Sequence, residues 1–304
     1  MPRFTIVIPC YNSAATLGAT LDSLRAQSLG DWEALVIDDG SVDDSLDIAR
    51  RFAQQDPRFR PMRNSGKGPS EARNLALSEA RGEILAFCDA DDLWLPGKLE
   101  SLARRFADPT IDATYARVAF FDAEGTRSSS RILSRDVTVS DLLGENPVCT
   151  MSNLALRADV FRARGGLDAR IVHNEDLEFL IRLVGEGHRL AGIDEVQVMY
   201  RTSVTGLSAD LPAMAAGRLA ALTTAARYGN RPSPRDEAIH LRYLTRRALR
   251  TGAPRRQTLG LALRGLGASP RGWFSDLRRG ALTLGGALMA PILPAALRKT
   301  LFAN

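Results

Sequence analysis

The chain has 304 residues, 45% of them hydrophobic and 25% charged, with 40 basic side chains against 35 acidic ones and a net charge of +5. That length buries a sizeable core in one large domain, alone or with a smaller appended unit, and the composition is that of an ordinary soluble globular protein. Cys10, Cys88 and Cys149 lie far apart, which excludes a disulfide framework or a zinc site and makes a reducing compartment the expectation.

The N-terminal "MPRFTIVIPCYN" has too short an apolar run for a signal peptide and reads as a first strand, so a cytoplasmic protein is expected. Residues 4–9, 33–38 and 84–88 are short runs rich in Val, Ile, Leu and Phe. Between them, "SAATLGATLDSLRAQ", "SVDDSLDIARRFAQQ" and "GPSEARNLALSEARG" carry apolar residues at helical spacing. This alternation predicts βαβ units on a mostly parallel sheet with helices on both faces, where ligands bind beyond the C-terminal strand ends. The polar clusters "PCYN", "DDGS" and "DADD" each end one of those strands and therefore share one rim. Further on, "ATYARVAFFD" and "HRLAGIDEVQVMY" read as strands, and "NEDLEFLIRLVGEG" as a helix capped by Asn174 and ended at Gly185 or Gly187.

Charge divides the chain. Residues 1–211 carry 24 basic against 32 acidic side chains, a net of -8, and residues 212–304 carry 16 against 3, a net of +13. An acidic front suits metal or polar chemistry, and a basic tail suits an anionic partner. From Pro212 the pattern is helical and Arg-rich, with breaks at Pro232, Pro234, Pro254 and Pro270.

In "AFCDADDLW", alternation beyond the strand puts Asp89 and Asp91 on one side with Ala90 facing away. Two carboxylates so spaced suit a hard divalent cation, Mg²⁺ or Mn²⁺, that keeps its other positions for water and phosphate. An acidic turn with no ligand is the plainer reading of that motif alone.

Taken in order, "IVIPCYNSAATLGATLDSL", "WEALVIDDGSVDDS", "GKGPSEARNLALSEARGEILAFCDADDLWLPGKLE" and "NEDLEFLIRL" resemble the family 2 glycosyltransferases, inverting enzymes of the GT-A fold. The likeness runs over residues 4–208. It implies a Rossmann-like mixed α/β sheet flanked by helices over residues 1–211, with a nucleotide-sugar half (1–109) and an acceptor half (110–211). Residues 212–304 would be a helical C-terminal extension. The resemblance implies that Pro9 and Tyr11 hold the nucleotide base, with Asp39 accepting a hydrogen bond from it while Asp38 braces the loop. Gly40 permits the tight turn there, and Ser13 also reads as an N-cap. It implies further that Arg73, one turn after Pro69, reaches the nucleotide, although a surface arginine on a helix is ordinarily inert. Asp91 becomes the principal metal ligand, Asp89 serves ribose and metal, and Asp92 caps the following turn with Trp94 behind it.

On the acceptor side, Asp176 matches the general base, paired with Glu175 at a helix start, where first-turn acids also simply complement the helix dipole. His173 and Asn174 stand where the acceptor would bind. One departure concerns "YRTSVTGLS": many relatives have a histidine shortly after the arginine matching Arg201, so Arg201 keeps a diphosphate contact but a third metal ligand from this loop is missing.

The apolar segment at residues 280–297, flanked by Arg278, Arg279, Arg298 and Lys299, is interrupted by Pro291 and Pro294. It reads equally as an interfacial stretch with arginines on anionic headgroups and as a helical subdomain packing on the catalytic domain or on a second subunit in a homo-oligomer. A nucleic-acid partner is not expected, for want of aromatic interleaving or a reading motif. The combined expectation is a glycosyltransferase using a UDP-sugar and Mn²⁺ or Mg²⁺ on a glycan or lipid-linked acceptor in surface polysaccharide assembly. Its rival is a nucleotide-sugar or glycan-binding module that has lost turnover.

Overall fold

In the computed structural model, residues 1–122, 125–202 and 210–290 are described. Residues 203–209, in the run after Arg201, and 291–304, with Pro291, Pro294, Arg298 and Lys299, lie outside them. The chain divides into two compact units: one comprises Met1–Val137 and Pro147–Arg201, and the other comprises Thr138–Asn146 with the described residues after Arg201.

The first unit opens with β1 (Phe4–Cys10), α1 (Ala14–Arg25), β2 (Trp32–Asp38), α2 (Ser45–Gln55) and β3 (Phe59–Arg63). There follow α3 (Pro69–Asn74), α4 (Ala76–Glu79), β4 (Ile84–Phe87), β5 (Leu93–Trp94), α5 (Lys98–Arg105), β6 (Ala113–Asp122) and β7 (Gly125–Ser129). After α6 (Val139–Gly144), which belongs to the second unit, come a 3₁₀ turn at Met151–Asn153, β8 (Ala155–Arg157), α7 (Ala158–Ala163), α8 (Glu175–Gly185) and β9 (Leu190–Arg201).

The strands form one sheet in the order β3-β2-β1-β4-β8-β6-β9-β5, with β7 on β6. β3, β2, β1 and β4 are mutually parallel; β8 is antiparallel to both β4 and β6, and β9 runs parallel to β6. The mixed sheet flanked by helices is thus present. β1 and β2 are buried almost throughout, as the unbroken apolar runs of a doubly covered parallel sheet require. Their core includes Ile6, Ile8, Leu17, Leu21, Val36, Ala86 and Leu99.

Three stretches depart from the sequence reading. "GPSEARNLALSEARG" is two short helices meeting at Leu75. β3 and β8 were not anticipated: β3 reads FRPMR, a half-buried edge strand rich in arginine, and β8 has only three residues.

The second unit is helical: α6, α9 (Leu211–Arg227), α10 (Pro234–Thr251), α11 (Arg255–Ala268), α12 (Pro270–Trp273) and α13 (Leu277–Met289). Pro212, Pro234 and Pro270 stand in the first turns of α9, α10 and α12, as expected of a residue that lacks an N–H to lose. The arginines do not all face outward. Arg242 is buried, donating to the Trp273 carbonyl at 2.8 Å and lying near Glu145, and buried Arg218 donates to Glu237 and to the Leu143 carbonyl. Among the described residues no helix is long and apolar enough to cross a membrane.

Candidate active site

The three polar clusters at the C-terminal ends of β1, β2 and β4 are laced together by backbone as well as side chains. Asp39 N–H donates to the Cys10 carbonyl, and Asn12 exchanges bonds with the next loop, donating its N–H to Ser41 Oγ and accepting from Val42 N–H. Ser13 occupies the N-cap position of α1 without a side-chain capping bond; its hydroxyl donates to the Tyr11 carbonyl, and the Ala14 N–H is satisfied by Asp43 from the β2–α2 loop. Tyr11 stands 59% exposed above this junction, and Pro9 is half-buried at the end of β1 beside Ile37. Asp38 braces the loop by accepting from Ser41 N–H, and Gly40 takes a φ of 84° in the turn. Asp39 accepts from Asn64 Nδ2 at 2.6 Å and from Gly68 N–H at 2.8 Å, so its carboxylate fixes the loop that leads into α3. Each oxygen retains lone-pair capacity for one further donor.

The acidic turn is held from every side through its backbone. The Ala90 carbonyl accepts from Thr16 and Thr20 of α1 at 2.9 and 3.0 Å, Asp89 N–H donates to Ser152 Oγ at 2.8 Å, and the Asp91 carbonyl accepts from Arg201 Nε at 2.9 Å. With the backbone so constrained, the three side chains take distinct environments. Asp89 accepts from Arg73 at 2.6 Å and from Thr150 Oγ1 at 3.2 Å. Burial, then repulsion from Asp89, raises the Asp91 carboxyl to about 6, with its own backbone N–H and Arg201 opposing the rise. Asp92 is not a simple turn cap: it is fully buried and accepts from Arg201 N–H at 3.0 Å, tying the end of β9 to the turn. Burial first, and Asp89 and Asp91 next, push its carboxyl well up. Trp94 packs behind, as expected, and its ring lies 4.7 Å from the buried Lys98 ammonium, which donates to the Ser152 carbonyl at 3.4 Å.

Arg73 is not a surface arginine. Its side chain is 6% exposed and bridges Asp89 at 2.6 Å and Glu175 at 3.0 Å, joining the acidic turn to the start of α8. Glu175 is driven up to about 7, chiefly by burial and then by neighbouring Asp176, against the pull of Arg73. Asp176 is likewise raised by burial, with the Leu177 N–H and Arg73 opposing. Two acids in a row are expensive here, and the arginine between the clusters offsets part of that cost. Asn174 occupies the N-cap position of α8 in the left-handed region, φ 60°, and its side chain makes no capping bond, contrary to expectation. His173 beside it is half-buried. Arg201 lies with its guanidinium 4.6 Å from the Phe121 ring centroid.

Asp89, Asp91, Arg73, Glu175, Asp176 and Arg201 are therefore linked in one site, with Asp39 tied to the loop entering it. Thr16, Thr20, Asn64, Lys98, Thr150 and Ser152, which support it, are not singled out by sequence, because each reads as an ordinary helix or turn residue until the fold brings it near. Among the described residues no three acidic, histidine or cysteine groups converge in cation-binding geometry. The donor chemistry still fits a hard cation that takes one or two protein oxygens: burial and Asp89 oppose ionisation of Asp91, which a cation would relieve, whereas Asp89 is already shared with Arg73 and Thr150.

Comparison with known proteins gives the family. The sequence model described as Glycosyl transferase family 2 matches residues 5–165. The chain is 39% identical over 97 residues to UDP-Glc:alpha-D-GlcNAc-diphosphoundecaprenol beta-1,3-glucosyltransferase WfgD of Escherichia coli, covering 32% of this chain and 38% of that protein. It spans 38%, 64% and 52% of the lengths of three other curated relatives. In structure it resembles the Pyrobaculum calidifontis mannosyltransferase PcManGT in complex with GDP-Man and Mn²⁺, with a TM-score of 0.60 at 22% identity over 99% of this chain and 84% of that one. It also resembles S. aureus TarS in complex with UDP-GlcNAc, with a TM-score of 0.58 at 17% identity over 100% and 90%. These likenesses identify the mixed sheet with its flanking helices as the GT-A fold, and with more than half of its length matched the chain belongs to the family 2 glycosyltransferases.

Proposed function

We propose that the chain is an inverting glycosyltransferase that moves a sugar from a UDP-sugar to a hydroxyl of a glycan or lipid-linked acceptor in cell-surface polysaccharide assembly. The observation that carries this reading is the Arg73 bridge, which unites the aspartates of the β4 rim with the acid pair of α8 in one half-buried cluster. Pro9, Tyr11 and Asp39 would bind the base, Asp89 the ribose, and Arg73 and Arg201 the diphosphate. Asp91, with Asp89, would hold Mn²⁺ or Mg²⁺, which when bound supplies Lewis-acid stabilisation of charge on the leaving diphosphate. UDP-GlcNAc in TarS and Mn²⁺ in PcManGT support donor and cation by analogy of fold.

In this reading Asp176 takes the proton of the attacking hydroxyl, while Glu175 is committed to Arg73. Burial raises the pKa of this base, so it holds the proton better as the bond forms. His173 and Asn174 flank the acceptor. Donor breakdown without acceptor would use water in the hydroxyl's place.

The name of WfgD supports an acceptor carried on lipid diphosphate. The second unit supports a contact with an anionic membrane face. On α13, Leu277, Ala281, Leu282, Gly285, Leu288 and Met289 form one exposed, mainly apolar face that also carries exposed Arg278, opposite a buried row of Gly280, Thr283, Gly286 and Ala287. That face belongs to a strongly basic segment.

The test is a panel of UDP, GDP and their sugars, with and without Mn²⁺, read as thermal shift and as donor hydrolysis. Asp176→Asn should abolish hydrolysis and leave UDP affinity nearly intact, whereas Asp91→Asn should weaken Mn²⁺-dependent UDP binding. Equal damage to binding by both would undo the role assignment. Nucleotide binding with no turnover of any donor would replace the enzyme with a binding module.

A further inference from the structure

Helix α3 has six residues, and three of their side chains reach the start of α8 or the segment that precedes it. Ser70 Oγ donates to the Ile171 carbonyl at 3.5 Å, and Arg73 pairs with Glu175 at 3.0 Å. Asn74 makes two bonds to one residue: its Nδ2 donates to the Leu167 carbonyl and its Oδ1 accepts from the Leu167 N–H, both at 2.8 Å. Positions i, i+3 and i+4 share one helix face, so residues 70, 73 and 74 form a single edge turned toward this segment. Gly166, at φ 72°, lies so near that a Cβ built on it would fall on the Asn74 amide oxygen. The segment therefore has its backbone pressed against Asn74, and glycine is required there both by conformation and by space.

The other end of α3 is fastened to the rim. Asp39 accepts from Gly68 N–H, directly before Pro69, and from Asn64 at the start of the loop. A helix of six residues has little stability of its own, so its position follows the anchors at its two ends.

We propose that α3 is a clasp that transmits occupancy of the donor site to the acceptor-side loop, residues 165–174, and that Asn74 is the positioning residue that sets this loop. The inference rests on the glycosyltransferase reading of the rim. A base held by Asp39 bears on Gly68, Gly68 on α3, and α3 through Ser70, Arg73 and Asn74 on the loop that carries His173 and Asn174. Arg182 of α8 holds the start of the same loop independently, donating to the Arg164 and Gly166 carbonyls at 2.6 and 2.8 Å. Removal of Asn74 therefore loosens the loop and leaves its attachment to α8 in place.

Hydrogen exchange with the full chain tests this, with UDP and Mn²⁺ as the probe. In the wild type, UDP with Mn²⁺ should slow exchange across residues 165–174. In Asn74→Ala the Leu167 amide should exchange about tenfold or more faster without nucleotide, from the loss of two hydrogen bonds. The nucleotide-induced slowing should vanish, while the Kd for UDP stays within about twofold and exchange in β1 and β2 is unchanged. Asn74→Asp keeps the acceptor for the Leu167 N–H and should fall between the two proteins. Equal slowing in wild type and Asn74→Ala, or a parallel loss of UDP affinity, overturns the relay, and an unchanged basal rate at Leu167 overturns the clasp. A wild type that binds neither UDP nor GDP would count against the glycosyltransferase reading instead, because the basal Leu167 rate still decides the role of Asn74.

Discussion

Arg73→Met is the sharpest perturbation of the site. The guanidinium is 6% exposed and serves two carboxylates, Asp89 (27%) and Glu175 (13%). Removing one member of a buried pair costs about 3–5 kcal/mol, and the partial exposure of Asp89 argues for the lower end, about 3 kcal/mol at pH 8. The deficit should depend on pH. Glu175 already titrates at about 7 with the arginine present, and loss of that charge lifts it further. Between pH 6 and 8 the native variant then binds up to one more proton than native wild type, while the unfolded chains are alike. The variant therefore loses stability relative to wild type as pH rises, by at most about 1.4 kcal/mol per unit. Native-state hydrogen exchange of the β1 and β4 amides against urea, at pH 6 and pH 8, measures both quantities. Arg73→Lys should recover part of the deficit, because a single ammonium cannot serve both acids with the same geometry. A deficit below about 1 kcal/mol, or one identical at the two pH values, would refute the bridge as the electrostatic centre of the site.

Lys98, buried with its pKa lowered to about 7 by desolvation, must lose its proton on folding at higher pH, so the wild type should gain stability from about pH 7 toward 10. Lys98→Met should be the more stable protein at pH 7, its advantage shrinking by at most about 1.4 kcal/mol per pH unit in urea titrations; parallel curves would refute this. Donor hydrolysis should rise with pH through about 7 as Glu175, beside the Asp176 base, ionises, and a rate flat from pH 5 to 8 would separate that ionisation from turnover. Gly82→Ala places a Cβ 2.5 Å from the Thr5 backbone nitrogen, with an expected cost of about 1–3 kcal/mol in denaturant midpoint; a neutral result would show that β1 yields there.

Much of the first unit is legible in the sequence because a sheet covered on both faces needs unbroken apolar strands, and residues 4–9, 33–38 and 84–88 supply them. β3 escapes because Arg60, Pro61 and Arg63 make a half-buried edge strand look like a loop, and β8 because three residues carry no period. In the site the acids show themselves, since carboxylates at strand ends invite a chemical reason. Their supports do not: Thr16, Thr20, Asn74 and Ser152 act through backbone groups 63 to 93 residues away, a separation no local pattern encodes. Arg73 and Arg242 share one difficulty, because hydropathy counts arginine as an outward residue whatever it pairs with. The basic character of the tail is therefore partly internal.

β5 has two residues, Leu93 and Trp94, yet both pair with β9, at Met199 and Val198. Between that pairing and the end of β4 the chain has only five residues, in which Asp89, Asp91 and Asp92 must each find a different neighbour. Such a connection works as a ruler. Lengthening or shortening it by one residue would reverse the facing of Leu93 and Trp94 on β9, or drag Ala90 off Thr16 and Thr20 and Asp89 off Ser152. Insertions aimed at reshaping this site should thus be tolerated at exposed turns such as Glu186–Gly187 and should fail between Phe87 and Leu93, where chain length itself sets the geometry.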